Sequence, residues 1–173
     1  ITNKYAITWV NYDGTILENE YIEYGLMPNY QGEKPIKPNS AQFTYEFSGW
    51  TPQISVVTQS MTYTAQYNQI INQYTVTFKN YDETILSKVI VNYGSSATFT
   101  GNVPTRPDEE HYSYLFEGWD KNFTIITSNM DVIAQYTKYI KYEFIYSNSN
   151  VEIIKVKCGE SVENYYPVNT PPT

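Results

Sequence analysis

The chain holds one cysteine, one histidine and one arginine in 173 residues, and each scarcity removes a class of function. Cys158 alone closes no internal disulfide, and it leaves neither a Cys-x-x-Cys pair nor a metal-ligand cluster. A Ser-His-Asp or Cys-His arrangement has only His111 to draw on. Arg106 is the lone guanidinium among 11 Lys and Arg residues, which face 18 acidic ones for a net charge of -7. Phosphate binding rests on clustered Lys and Arg, so nucleic acid is not expected as a partner. No apolar run nears the roughly 18 residues of a membrane span, and the first residues lack the basic-then-apolar order of a signal peptide. A soluble chain with no membrane insertion is expected.

Aromatic residues, in contrast, make up 17% of the chain, with 19 tyrosines. That excludes a chain disordered throughout, because unfolded segments are poor in aromatic and β-branched residues. The main feature is an internal repeat: residues 5–67 align with residues 74–136 without a gap, at a constant offset of 74 − 5 = 69. The offset matches Asn11-Tyr12-Asp13 with Asn80-Tyr81-Asp82, Tyr24-Gly25 with Tyr93-Gly94, and Pro35 and Pro38 with Pro104 and Pro107. It also matches Phe47-x-Gly49-Trp50 with Phe116-x-Gly118-Trp119, and Ala65-Gln66-Tyr67 with Ala134-Gln135-Tyr136. A third, partial copy starts near Tyr142, where Phe144 and Tyr146 match the first strand and Val156-x-Cys158-Gly159 matches Val91-x-Tyr93-Gly94. The expected organisation is a unit at 1–67, a second at 74–136, a partial third at 142–173, and short linkers at 68–73 and 137–141.

Within each copy the apolar period is two. Tyr5, Ile7 and Trp9 fall on one face of a strand, as do Tyr74, Val76 and Phe78. Asn11-Tyr12-Asp13-Gly14 supplies turn chemistry for a hairpin, whose second strand ends at Gly25 or Gly94. The Pro-x-x-Pro stretch is compatible with neither a long helix nor a central strand, and reads as an irregular crossover. Third and fourth strands follow through Phe47 and Trp50, and through Met61, Tyr63, Ala65 and Tyr67. The fold class is mainly β with little helix.

This order of motifs, above all Tyr-Gly, Phe-x-Gly-Trp and Ala-x-Tyr in sequence, resembles the Listeria-Bacteroides repeat, also called the internalin B-type B repeat. The resemblance covers both full copies and the start of the third. It implies small β-grasp, ubiquitin-like units in tandem, in secreted or wall-attached proteins of Gram-positive and related bacteria. Glu83, where Asp-Gly is usual, and Ser147-Asn148-Ser149-Asn150 in the third copy depart from the pattern.

For chemistry, His111 aligns with Gln42 beside the proline loop and reads as a solvated loop residue, while Cys158 aligns with Tyr24 and Tyr93 and reads as a small buried thiol. Asp13 and Asp82 recur, but one carboxylate per hairpin turn does not make a calcium loop, so each is expected to bond its own turn. Glu109-Glu110 and Glu18-x-Glu20 do not recur and read as solvated charge, not as paired glycosidase carboxylates. No spacing singles out a Lys-to-Asn crosslink. No catalytic, cofactor-binding or metal site is therefore expected, and no cofactor.

The recurrent aromatics Trp50, Trp119, Phe47, Phe116, Tyr24 and Tyr93 are expected to be core, since each copy must bury its own sheet face, and Trp9 with Phe78 likewise. The aromatics read as non-repeated, Tyr21, Tyr30 and Tyr63 foremost and then Tyr165 and Tyr166, are the binding candidates. The function expected is a non-enzymatic extracellular or cell-wall module, a spacer and interaction region for a host or bacterial surface protein or glycan. The alternative is a carbohydrate-binding repeat using exposed Tyr side chains. Self-association through the partial third unit is a further expectation, because an isolated hairpin leaves its edge open.

Overall fold

A computed structural model describes residues 2–145 and 150–165. It divides into two compact units, Ile1–Gln73 and Tyr74–Thr173. The first contains β1 (Lys4–Val10), β2 (Ile16–Glu23), β3 (Phe43–Thr51) and β4 (Met61–Ile71); β5 (Gln73–Lys79), β6 (Ile85–Asn92), β7 (Tyr112–Trp119), β8 (Met130–Ile145) and β9 (Val151–Lys157) follow. Both units are mainly β. Among the described residues the helical content is one 3-10 turn, Val162–Tyr165.

The first sheet has the order β2-β1-β4-β3, with antiparallel hairpin β1–β2, antiparallel pair β3–β4, and a parallel pair β1–β4 at its centre. The second repeats it as β6-β5-β8-β7, again parallel at the centre, and adds β9 against the far half of β8. A parallel centre forces the chain to cross over rather than turn back. The Pro-x-x-Pro loop is that crossover. Pro35 and Pro104 are buried in it.

Period-two alternation sends Ile7 and Trp9 to one face of β1, and both are fully buried with Val57 and Tyr63. In the second unit Val76, Phe78, Ala97, Ile126 and Val132 form the equivalent core. The Phe-x-Gly-Trp motif is explained by a β-bulge. Phe47 and Trp50 are three apart and in a regular strand face opposite ways, but the register slips between Phe47 and Gly49, opposite Tyr67 and Gln66. Gly49 takes φ 136° and Gly118 φ 151°, which only glycine adopts without strain. The extra residue turns the Trp back, so Phe47 packs edge-on to Trp50 and Phe116 to Trp119, both at 5.4 Å. Both tryptophans are half-buried against their unit's core.

The strand limits differ from those expected of linkers. Residues 68–71 continue β4 and pair with β3 as far as Phe43↔Ile71. Residues 137–141 lie within β8, which runs on through Tyr142 into the third hairpin, flanked by β7 and then β9. Thr137, Tyr139 and Ile140 are strand formers with no Pro or Gly among them, and partners on both sides keep the ladder continuous. The third hairpin therefore extends the sheet of the second unit. Tyr146, Tyr166 and the proline tail 167–172 lie outside the described residues.

Two side chains expected inside are not. Cys158 is exposed, beyond the last paired residue of β9. Its counterpart Tyr24 is 58% exposed, and Tyr93 is half-buried. This position stands where the hairpin runs past the core, and Tyr24 makes a tilted contact with Tyr5 at 6.5 Å, as Tyr93 does with Tyr74 at 6.4 Å.

Candidate interaction surface

Of the three foremost binding candidates, only Tyr21 faces solvent. It is 72% exposed on the outer face of edge strand β2, opposite Ala6. Tyr63 is 2% exposed, stacked on Trp9 at 4.7 Å, and Tyr30 packs between Trp9 (5.6 Å) and Trp50 (4.9 Å). Both are core. Tyr30 has Phe99 as its counterpart, which packs on Phe78 at 5.3 Å and on Trp119 at 4.9 Å. Tyr63 aligns with Val132, and the lost ring is made good by Phe123, which replaces Ile54 and meets Phe78 at 5.2 Å. A second exchange accompanies it. The Trp9 indole N–H donates to Glu20 Oε1 at 3.4 Å; Phe78 has no such donor, and Val89 stands in place of Glu20. Of the further candidates, Tyr165 is exposed at the 3-10 turn, where its hydroxyl bonds Glu160.

The recurrent polar residues are also occupied within the fold. Asn11 Oδ1 accepts from the Tyr67 hydroxyl at 2.6 Å and the Tyr12 N–H at 2.9 Å, and its Nδ2 donates to the Ile36 carbonyl at 3.0 Å. Asn80 repeats all three with Tyr136, Tyr81 and Thr105 at 2.6, 3.0 and 3.0 Å. One amide thus joins the hairpin turn, the proline crossover and the fourth strand. Burial foremost holds the Tyr67 and Tyr136 hydroxyls above their ordinary pKa.

Asp13 accepts from the Thr15 N–H, and Asp82 from the Thr84 hydroxyl and N–H; these bonds hold both carboxylates below their usual pKa. Gly14 sits at φ 85°. Its counterpart Glu83 is held at φ 66°, a left-handed conformation that a side-chain-bearing residue adopts at a cost.

A cation between two tyrosine rings also recurs, in a place that sequence reading did not single out. Lys37 Nζ lies 4.1 Å from the Tyr45 ring centroid and 4.9 Å from that of Tyr12. At the matching positions the Arg106 guanidinium lies 3.6 Å from Tyr114 and 4.6 Å from Tyr81. Glu109 completes the second cluster, accepting from the Tyr114 hydroxyl at 2.7 Å and pairing with Arg106 at 3.2 Å. The hydroxyl bond, first, and then the cation hold Glu109 below its usual pKa. The signal in the sequence was a basic residue inside both Pro-x-x-Pro motifs.

His111 is exposed in the bend before β7, with Glu110 at 3.8 Å. Glu18 is engaged, its Oε2 accepting from the Gln31 N–H at 2.9 Å and the Gly32 N–H at 3.2 Å. Among the described residues, no three His, Cys, Asp or Glu side chains are grouped to hold a metal ion. No helix there is long and apolar enough to cross a membrane.

No family model matches the chain. A putative membrane protein of Evansella cellulosilytica is 26% identical over 149 residues, which cover 78% of this chain and 21% of that protein. A putative Gly-rich membrane protein of the same organism is 23% identical over 170 residues, 89% of this chain and 18% of its own length. The chain spans about a fifth of the length of these relatives. Among solved structures, Streptococcal High Identity Repeats in Tandem (SHIRT) domains 3-4 from a cell surface protein align over 80% of this chain and 99% of their own, at 14% identity and a TM-score of 0.34.

Proposed function

We propose that the chain is a run of β-grasp-like units of the Listeria-Bacteroides type, two complete and a third begun, serving outside the cell as a non-enzymatic spacer and interaction region of a surface or secreted protein. The observation that carries this reading is what the duplication has kept. Asn11, Asp13 and Lys37, with their counterparts Asn80, Asp82 and Arg106, all spend their bonding on their own unit. A module copied with its internal ties intact, and with no recurrent pair of carboxylates and no recurrent His or Cys, is one copied for its fold. The strand order with a parallel central pair in both units supports the β-grasp assignment.

Antibody raised against the chain tests the location. It is expected to label intact cells of the source bacterium and to lose its target after brief external protease treatment. Labelling that appears only after lysis overturns the proposal.

A further inference from the structure

Ser113 is 2% exposed, and its hydroxyl has no hydrogen-bond partner among the described residues. The corresponding hydroxyl in the first unit, Thr44 (44 + 69 = 113), donates to Asn72 Oδ1 at 2.8 Å. The residue matching Asn72 is Lys141 (72 + 69 = 141), which offers no acceptor to Ser113. An unpaired buried hydroxyl is costly, and the second unit carries one where the first does not.

Ser113 lines a hollow of about 300 Å³ on the outer face of the second sheet, together with Tyr114, Leu115, Tyr139 and Lys155. Strand register explains the grouping: Ser113 lies opposite Tyr139, and Leu115 opposite Thr137, so these side chains share one face. β9 brings Lys155 opposite Lys141 and Lys157 opposite Tyr139 on that face. Leu115 is 60% exposed, and its counterpart in the first unit is Glu46. The hollow thus combines an apolar wall, an aromatic ring, a cationic rim and a hydroxyl in need of a partner.

We propose that this hollow is a subsite for a carboxylated sugar of the uronic acid class. Its volume is at the lower end of small-molecule sites, the size of one or two sugar rings. Leu115 and the Tyr139 ring take the C–H face of the pyranose, Lys155 takes the carboxylate, and the Ser113 hydroxyl bonds a ring hydroxyl. Phosphate fits less well, because the walls are largely apolar and the lysines do not converge as a bidentate clamp. The site is particular to the second unit and stands independently of where the chain resides.

Methyl glucuronide and methyl glucoside, titrated separately into the full chain while backbone amide NMR shifts are followed, provide the test. Shifts are expected to centre on 113–115, 137–141 and 155–157. Lys155→Gln is expected to weaken the glucuronide by roughly threefold, as for an exposed ion pair, and to leave the glucoside unchanged. Ser113→Ala is expected to weaken both by roughly fivefold, the worth of a neutral hydrogen bond, while Thr44→Ala changes neither. Absence of shifts with the glucuronide, shifts centred elsewhere, or a Ser113→Ala protein that melts higher and binds as before would each overturn the proposal.

Discussion

Replacing Asn11 with Ala removes an amide that ties three segments of the first unit. Three hydrogen bonds are lost, to the Tyr67 hydroxyl, the Tyr12 N–H and the Ile36 carbonyl. At roughly 1 kcal/mol each the loss is about 3 kcal/mol, and in a unit of this size that lowers the melting temperature by roughly 12–24 °C. Tyr67→Phe cuts one of the three and is expected to cost about 1 kcal/mol. In the double variant the shared bond is counted once, so the two losses fall short of additivity by about 1 kcal/mol. Asn11→Asp keeps the acceptor and loses the donor to Ile36, and so falls between Asn11→Ala and the parent. Urea unfolding followed by tryptophan fluorescence reads this cleanly, because Trp9 and Trp50 report the first unit and Trp119 the second. Asn68→Ala, at an exposed strand position, is the control and should stay within about 0.5 kcal/mol. An Asn11→Ala loss below about 1 kcal/mol, or losses that add fully with Tyr67→Phe, would refute the reasoning.

Three other outcomes are expected. Tyr63→Ala should destabilise by roughly 3–5 kcal/mol and Tyr21→Ala by no more than about 0.5 kcal/mol, measured by the same unfolding; equal effects contradict the core assignment. Glu83→Gly should raise stability by about 0.5–1 kcal/mol through relief of its left-handed backbone, although it gives up an exposed ion pair with Lys79, whereas Gly94→Ala at φ 78° should lower it by about 1–2 kcal/mol. The folded pKa of Asp13 and Asp82 is depressed, so their stabilisation is present above the ordinary carboxylate range and lost as pH falls through the folded value. That of Tyr67 and Tyr136 is raised, so their stabilisation is present below the ordinary tyrosine pKa and lost as pH rises through the folded value. Asp13→Asn should flatten the acid limb and Tyr67→Phe the alkaline limb of a stability-against-pH curve, and unchanged limbs count against both.

The strand pattern and the two-unit period were legible because alternation and a gapless offset are local and one-dimensional. The strand limits were not, since Thr137 to Lys141 reads as a polar link and becomes β8 only because β7 and β9 flank it. Tyr30 and Tyr63 were misread for a different reason. Equivalence between copies does not demand identity: Phe99 takes the place of Tyr30, and the pair Ile54 and Tyr63 becomes Phe123 and Val132, so an aromatic moves from strand to loop while the core stays filled. The tyrosine cages around Lys37 and Arg106 draw rings from the hairpin turn and the third strand, distances that no local pattern encodes. The unpaired Ser113 could be found only by setting one folded unit beside the other.

In the first unit β1 opens the chain path and β4 closes it, and the two are parallel neighbours over Ile7–Val10 and Met61–Thr64. A pull on the two ends of the unit therefore draws these strands past each other lengthwise, loading their backbone hydrogen bonds together, where a hairpin pulled from its open end yields one bond at a time. Forced unfolding is governed by the rate of escape over this barrier. In single-molecule extension, Val10→Pro, which removes one donor from the β1–β4 region of the strand, should lower the rupture force of the first unit and leave that of the second unchanged. The fold places its clamp along the line on which a tethered chain is stretched.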